Sequence, residues 1–411
     1  DVTATIGDRT RVDAVSTGDP LGIGMNSTTM PALLWGRINT AVQFERLMKR
    51  LEDCRKRGRT FRIVAGGPGA WQLAQDPQKR RALGVDHVVA GYCEKNLPGL
   101  VAGIAAGDRI GPILEGEPPP AEGIPAILGP SLAGAVEISR GCGLGCRFCA
   151  LGHTPMIHLP PDTVRADAQT NLETGDPNLS LSSEDAFRYG GAAQKPAPDT
   201  FIELLRTLRQ LTPAGMIQID HVNLRTVADF SDGQLRTVRG LLAAPGQTFV
   251  WLNVGVETAS GTLLARNGGR AKIPADDTAD WGAFCRTQIH RLLSAGFFPL
   301  ISLVVGLPGE RPEDVRATTD WLRGFGRRRL AAFPMAYAPL EAGAQPVELK
   351  PEHWILFRES YRFNFRWIPR LVWEHQRLGG RALAPRLALQ ALGRAQVLLW
   401  KVLFAVHGRT A

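Results

Sequence analysis

The chain has 411 residues, of which 48 are basic and 39 acidic, so its formal net charge is +9. A chain of this length forms about two or three domains. Its hydrophobic content of 44% is typical of a folded globular protein and excludes global disorder. No run of about 18 apolar residues and no secretory signal is present, so we expect no membrane-spanning helix and a cytoplasmic location. The chain begins with Asp1 rather than Met, which favours a native N-terminus further upstream.

The basic residues and the cysteines narrow the class of protein further. The basic residues are spread along the chain and form no long tail, which favours a solvated surface, and no nucleic-acid partner is expected. Six cysteines are present. Three of them, Cys142, Cys146 and Cys149, lie close together. This uneven spacing favours a metal-type cluster in a reducing compartment over a disulfide framework.

The N-terminal part of the chain, 1–106, predicts a domain of alternating strands and helices. The expected elements are, in chain order, strand Leu21–Asn26, helix 41–56, strand Phe61–Ala65, helix 77–83 and strand Val85–Ala90. Repeated strand–helix units of this size predict a parallel, doubly wound, Rossmann-like α/β sheet.

Three further regions follow along the chain. Residues 107–133 are rich in proline and predict a linker, so we expect a domain boundary there. Residues 134–340 predict a partial (β/α)6 barrel, with its chemistry at the C-terminal ends of the strands. Residues 341–411 predict a helical C-terminal region that is amphipathic near its end, so this end either packs against the barrel or contacts a membrane surface peripherally. The expected barrel strands are Val136–Arg140, Leu179–Ser183, Met216–Val222, Phe249–Val256, Leu300–Val305 and Leu330–Tyr337.

The cysteine motif carries the strongest chemical signal. It reads Cys142-Gly143-Leu144-Gly145-Cys146-Arg147-Phe148-Cys149. Three thiolates at this spacing can hold a four-iron cluster and leave one iron free to bind a small molecule. The alternative is a structural zinc site, for which His153 is the nearest candidate for the fourth ligand.

This motif resembles the signature of the radical S-adenosylmethionine (SAM) superfamily, including the aromatic Phe148 before the last cysteine. The resemblance implies that Cys142, Cys146 and Cys149 bind a [4Fe-4S] cluster, that SAM binds the free iron, and that an external donor such as flavodoxin or ferredoxin supplies the electron. Motifs after later strands agree with this family. The resemblance implies that Ser183 and Glu184 contact the methionine part of SAM, Glu257 the ribose, and Gly306 and Leu307 the adenine.

The N-terminal part resembles the cobalamin-binding domain that precedes the barrel in one class of this superfamily. The matching positions are strand ends, and they imply cobalamin contacts from Asn26, Ser27, Thr28, Gly66, Gly67, Gly69, Trp71, Gly91, Tyr92 and Glu94. The motif Asp-x-His-x-x-Gly, which supplies a cobalt ligand in many cobalamin proteins, is absent. His87 lies within an expected strand, and core packing is its expected role.

The resemblance implies a cobalamin-dependent radical SAM methyltransferase, with the cobalamin bound between the domains. The expected substrate is a small molecule, natural product or peptide that is methylated at a carbon centre. One alternative is a radical cyclase or oxidative rearrangement on a tetrapyrrole or lipid-like substrate. Methylthio transfer is disfavoured because the N-terminal domain has only Cys54 and Cys93, too few for a second cluster. The non-enzymatic alternative is a structural zinc domain that binds nucleic acid.

Overall fold

The structure is a computed structural model, and it describes residues 2–34, 36–274, 278–341 and 347–407. The chain forms two compact units, one of 1–124 with 338–347 and the other of 125–337 with 348–411. In the first unit four parallel strands form a sheet in the order β1-β2-β3-β4: β1 (Val12–Ser16), β2 (Arg62–Gly66), β3 (His87–Ala90) and β4 (Ile113–Glu115). Its helices are α1 (Val2–Thr5), α2 (Met25–Leu34), α3 (Asn39–Lys56), α4 (Ala70–Gln75), α5 (Pro77–Ala82) and α6 (Leu97–Ala106).

Helices cover both faces of this first sheet. On one face, Met48 and Leu51 of α3 share a buried cluster with Ile63 of β2. On the other face, Ile104 of α6 packs with Val64 of β2. The alternation of Ile63 and Val64 between the two clusters follows from the two-residue period of a strand. The expected doubly wound sheet is therefore confirmed.

Two sequence predictions for this unit are wrong. The first strand is Val12–Ser16 rather than Leu21–Asn26, because Gly22 turns the chain with a φ of +69° and α2 begins at Met25. The region 107–133 is not linker throughout, because β4 lies within it and Ile113 pairs with Val88 of β3. A strand of three residues is too short to give a periodic apolar pattern.

The second unit contains an arc of parallel strands. One sheet has the order β5-β8-β9 and the next β10-β11-β12-β13, while β6 and β7 form a separate antiparallel hairpin. The arc is continuous through 217–222, because β9 pairs with β8 and β10 pairs with β11. All six expected barrel strands are confirmed. The strands of the second unit, including the hairpin, are β5 (Ala135–Glu137), β6 (Ser139–Arg140), β7 (Ile157–His158), β8 (Leu179–Ser182), β9 (Ile217–Ile219), β10 (His221–Val222), β11 (Val250–Glu257), β12 (Phe297–Val305) and β13 (Ala331–Ala336).

Helices connect the strands of the arc and then form the C-terminal region. Their bounds are α7 (Pro161–Leu172), α8 (Pro198–Leu211), α9 (Leu224–Val227), α10 (Asp232–Leu242), α11 (Gly261–Arg266), α12 (Trp281–Ser294), α13 (Pro312–Arg323), α14 (Pro351–Leu378) and α15 (Leu383–His407). Short 3-10 turns lie at Ala121–Gly123, Leu132–Gly134, Ala186–Arg188 and Gly269–Lys272.

The two C-terminal helices differ in how they are held. The α14 helix is fixed to the arc, because the Glu374 carboxylate accepts hydrogen bonds from the amides of Thr248 (2.8 Å) and Phe249 (2.6 Å). The Asn364 side chain on the same helix bonds to both backbone groups of Ala332 in β13. The expectation that the C-terminal region packs against the barrel therefore holds for α14.

The α15 helix packs mainly on α14. Trp400 and Phe404 of α15 lie against Tyr361 of α14, with ring centroids 5.0 and 5.1 Å away. Among the residues that the structure describes, α15 contains the one stretch, Leu383–Ala405, that is long and apolar enough to cross a membrane by length and composition. This differs from the expectation of no such segment, because three isolated charges interrupt the apolar run without making it polar on average.

Candidate functional site

The three clustered cysteines lie in the loop that connects the two strands of the β6–β7 hairpin. Two backbone hydrogen bonds cross this loop, from Cys142 to the carbonyl of Thr154 at 2.9 Å and from Gly145 to the carbonyl of Gly152 at 2.7 Å. The loop follows closely on β5, the first strand of the arc. The prediction that the motif follows the first barrel strand is therefore confirmed.

Glycines allow this loop to close tightly on itself. A Cβ atom at Gly152 would lie 2.3 Å from the carbonyl oxygen of Cys146, and one at Gly141 would lie 2.2 Å from that of Pro155. Gly141 also has a φ of +76°, a conformation that strains residues with a side chain. The glycines near the cysteines are thus explained by the close approach of two parts of the loop.

The thiols are partly shielded from water, because Cys146 is buried and Cys142 and Cys149 are half-buried. Burial raises the pKa of Cys146 to about 11 and also raises the pKa values of Cys142 and Cys149, while the nearby charge of Lys272 acts against this rise. Because thiolates are the metal-binding form, loading of this site releases protons. Within the described ranges, no three His, Cys, Asp or Glu side chains converge as ligands of a single ion do. Three thiolates that bind different irons of one cluster need no such convergence.

A buried ion pair lies close to the cysteines. The Nζ atom of Lys272 is 2.6 Å from Oε1 of Glu257, and the two side chains are only 9% and 10% exposed. Glu257 ends β11 at a bulge and has a φ of +64°, which is rare for a residue with a side chain. Burial, the largest single influence, opposes the charged form of Lys272, but Glu257 together with Cys146 and Cys142 holds the Lys272 pKa above its usual range.

The side chains that follow β8 have distinct surroundings. Ser183 is buried, and its hydroxyl lies 2.5 Å from that of Ser139 in the cysteine hairpin. Glu184 is exposed, and its negative charge contributes to the raised pKa of Cys149. The end of β8 is therefore in contact with the hairpin that carries the cysteines.

Asp185, the next residue, is completely buried. Its carboxylate accepts hydrogen bonds from the amide of Asn223 at 3.1 Å and from the hydroxyl of Thr226 at 3.0 Å. Burial is the largest influence on this group and raises the pKa of Asp185 to about 7. Asp185 thus joins the ends of β8 and β10.

The turn after β12 is held by a buried histidine of α14. The amide of Gly306 donates to Oε2 of Glu310 at 2.7 Å, and Nε2 of His353 lies 2.8 Å from the same oxygen. Nδ1 of His353 accepts a hydrogen bond from the amide of Lys350 at 3.1 Å, so Nε2 carries the proton that is donated to Glu310. Leu307 is buried beside this turn.

Asn267 connects the cysteine loop with the same turn. Its carbonyl accepts a hydrogen bond from the amide of Arg147 at 3.0 Å, and its side chain donates to the carbonyl of Pro308 at 3.1 Å. The side chain is also buried. Asn267 therefore fixes the distance between two motifs that are far apart in the sequence.

In the first unit, two of the expected cofactor glycines have an internal structural role. A Cβ atom at Gly67 would lie 2.7 Å from the hydroxyl of Ser16, and one at Gly69 would lie 2.5 Å from the carbonyl of Gly18. These glycines allow the loops after β1 and β2 to touch. Gly91, by contrast, has a φ of +82° and no atom within 4 Å of a Cβ position, so space is open there.

The other expected cobalamin positions are distributed around the same sheet. The sequence predicts a strand end at Asn26, Ser27 and Thr28. This prediction is wrong, because these residues lie in the first turns of α2. The hydroxyl of Thr28 donates to the carbonyl of Met25 within the same helix and to that of Gly24 just before it. Gly66 is the last residue of β2, and Trp71 lies in the first turn of α4. Tyr92 and Glu94 follow the C-terminal end of β3.

The structure brings the barrel motifs together at one end of the arc, since all of them follow parallel strands. Their roles as cofactor contacts stay predictions. Three buried residues of this end were missed by the sequence analysis, and they are Asn267, Lys272 and His353. The sequence did not indicate a site role for Lys272, because a basic residue in a glycine-rich stretch is typical of a solvated turn.

Known sequences are similar to the part of this chain that carries the cysteines. A family model described as the radical SAM superfamily matches residues 136–322. The ribosomal protein uS12 methylthiotransferase RimO of Cereibacter sphaeroides is 26% identical over 55% of this chain and 47% of its own length. RimO of Frankia alni is 29% identical over 68% of this chain and 47% of its own. The chain thus spans about half the length of these curated relatives.

The solved structures support the same fold. The radical SAM methyltransferase TsrM from Kitasatospora setae, with tryptophan substrate and a SAM analog bound, has a TM-score of 0.51 and 14% identity over 82% of this chain and 65% of its own. A second TsrM structure, with cobalamin and a [4Fe-4S] cluster bound, has a TM-score of 0.50. At this identity the likeness concerns the fold alone. The family match covers residues 136–322, the part of the chain that contains the cysteine loop and most of the arc.

Proposed function

We propose that this chain is a cobalamin-dependent radical SAM methyltransferase that methylates a carbon centre of a small molecule, natural product or peptide. The observation that carries the proposal is the placement of the three-cysteine loop beside the buried Glu257–Lys272 pair at one end of the arc. TsrM, which has a similar fold and is described as a radical SAM methyltransferase, is compatible with this assignment.

The donor set fits the cofactors of a radical SAM domain. Cys142, Cys146 and Cys149 would hold the cluster, and burial of these thiols keeps water from it. The charges of Glu184 and Lys272, which both act on Cys149, are complementary to the ammonium and carboxylate groups of SAM. Glu257 can accept hydrogen bonds from the ribose hydroxyls. When bound, the cluster supplies the electron that cleaves SAM, and cobalamin supplies the methyl group.

The cobalamin part of the proposal rests on the first unit. The open space at Gly91, at the C-terminal edge of a parallel doubly wound sheet, suits a bound ligand. Gly67 and Gly69 contribute indirectly, because they shape the neighbouring loops. His87 is not expected to bind cobalt, because it lies within β3 and the sequence lacks the Asp-x-His-x-x-Gly motif.

Methylthio transfer to a protein or RNA substrate is the second candidate function. It is favoured by the curated relatives, which are named as methylthiotransferases, and by the net positive charge of the chain. The cysteines of the first unit argue against methylthio transfer. Cys54 of α3 is buried in the hydrophobic core of that unit, so Cys93, near a strand end, is the one cysteine of the unit placed to bind a cluster. Two cysteines are too few for a second cluster with three protein ligands.

Anaerobic reconstitution with iron, sulfide and cobalamin, followed by reduction in the presence of SAM, tests the proposal. We expect S-adenosylhomocysteine and a product heavier by one methylene, and we expect the mass gain to require cobalamin. The Cys142→Ala, Cys146→Ala, Cys149→Ala triple variant is the control and should be inactive. A product that also gains sulfur would favour the second candidate, and a rearranged product without mass gain would favour a cyclase. Formation of neither 5′-deoxyadenosine nor S-adenosylhomocysteine would contradict both candidates.

A further inference from the structure

The outer side of α14 carries a line of arginines. Arg358, Arg362, Arg366 and Arg370 follow one another at intervals of four residues, and all four side chains are exposed. Like charges at this spacing repel each other and destabilise a helix. Arg362 is compensated by Glu359 at 2.9 Å, but none of the ion pairs among the described residues involves Arg366 or Arg370. Arg366 and Arg370 therefore form an unneutralised positive part of this line.

The two unpaired arginines border a groove between α14 and α15. The groove has a volume of about 490 Å³ and no acidic side chain in its lining. Four cations surround it, and its remaining lining is almost entirely apolar. The cations are Arg366, Arg370, Arg394 and Lys401, and the apolar lining consists of Phe365, Pro369, Val397 and Leu398. A ligand that fits this groove combines negative charge with a hydrocarbon part.

The α15 helix continues the same surface with exposed leucines. One face is packed through Trp400 and Phe404, while the opposite face presents large apolar side chains to solvent. No acidic residue follows Glu374 in the chain. The exposed fractions are 54% for Leu387, 67% for Leu392, 63% for Leu398, 55% for Leu399 and 60% for Val402. A contiguous apolar face of this kind marks an interaction surface.

We propose that α14 and α15 form a docking surface for an anionic lipid bilayer. The exposed leucines of α15 enter the boundary between headgroups and acyl chains, and the cations of the groove bind lipid phosphates. The surface has the composition of helices that lie in a membrane interface, with an apolar face beside basic residues.

Charge and apolarity together select a bilayer over other partners. A second copy of this chain, packed about a two-fold axis, would bring the same positive grooves together and repel. A nucleic acid would neutralise the arginines but leave the leucines in water. An anionic bilayer satisfies both parts of the surface at once.

Co-sedimentation of the full reconstituted chain with lipid vesicles tests this proposal. We expect binding to vesicles of phosphatidylcholine mixed with phosphatidylglycerol, and much weaker binding to phosphatidylcholine alone. Each removed arginine should weaken binding roughly fivefold, so the Arg366→Gln, Arg370→Gln variant should bind about 25-fold more weakly. The Leu392→Gln, Leu399→Gln variant should also lose binding, because the apolar insertion is lost.

Matched controls keep the test independent of folding and of enzymatic activity. Arg236→Gln with Leu128→Gln changes one exposed arginine and one exposed leucine elsewhere in the second unit and should bind vesicles like the unmodified chain. Circular dichroism checks that all variants are folded. Equal binding to both kinds of vesicle, or full binding by either variant of α14 or α15, would overturn the proposal. So would a dimer in lipid-free solution that the leucine variant abolishes, or RNA binding that the arginine variant abolishes without any vesicle binding.

Discussion

Lys272 and Glu257 form a buried ion pair of 2.6 Å beside the three cysteines. Removal of either partner leaves the other as an uncompensated charge in the interior. We therefore expect Lys272→Met to lower the free energy of unfolding by about 3–5 kcal/mol, and Glu257→Gln to have an effect in the same direction. The double variant should be more stable than the sum of the single effects predicts, because neither charge remains. Urea unfolding of the four proteins measures this coupling, and strictly additive effects would contradict it.

Asp185 predicts a specific dependence of stability on pH. Its pKa is about 7 in the folded chain, compared with about 3.9 in an unfolded chain. Since the folded state binds the extra proton, the contribution of Asp185 to stability is complete below the unfolded pKa. It is lost as pH rises through the folded pKa, with a slope of at most about 1.4 kcal/mol per pH unit. Asp185→Asn should remove this slope. A stability difference between the two proteins that does not vary with pH over this interval would refute the prediction.

Gly268 is expected to determine whether the cysteine loop can bind its cluster. Its φ is +84°, and a Cβ atom there would lie 2.2 Å from the carbonyl oxygen of Gly145. We expect Gly268→Ala to lower the iron and sulfide content after reconstitution, together with the absorbance of the cluster. Gly175→Ala is the matched control, because Gly175 has a φ of +83° and no atom within 4 Å of a Cβ position. Equal cluster content in the two variants would contradict the prediction.

His353 is expected to hold the turn after β12 for binding of SAM. His353→Phe removes the donor to Glu310 and should lower the free energy of unfolding by about 1.5–3 kcal/mol, since the bond involves a buried carboxylate. We also expect weaker binding of SAM, measured by calorimetry on the reconstituted chain. His353→Gln retains a donor of similar reach and should restore part of both. Unchanged SAM affinity in His353→Phe would separate this turn from the SAM site.

The arc was predictable because its strands are apolar runs bounded by turns, as at Phe249–Val256, and their order follows from the repeated strand–helix pattern. The first strand was missed because Val12–Ser16 contains Asp13 and ends in Ser16, whereas Leu21–Ile23 is more apolar but interrupted by Gly22. The strand signal depends on periodicity, and a short strand with polar positions provides little of it.

The buried polar partners of the site were not predictable for a different reason. Glu257 was found because it directly follows a strand, but its partner Lys272 lies 15 residues further along the chain. His353 is 43 residues from Glu310 and lies in the first turn of α14. The sequence analysis described this helix only as part of a helical C-terminal region. Contacts of this kind arise from tertiary packing, which a sequence pattern does not encode locally.

The pairing of Asn364 with Ala332 has a consequence for solubility. The β13 strand is the last in its sheet, so among the described residues no strand pairs with its other side. Asn364 accepts a hydrogen bond from the Ala332 amide at 2.9 Å and donates to its carbonyl at 2.7 Å, and thereby occupies both backbone groups as a further strand would. An unpaired strand edge is a template for another chain and a route to aggregation. At Ala332 a single side-chain amide therefore protects the terminal strand from edge-to-edge association.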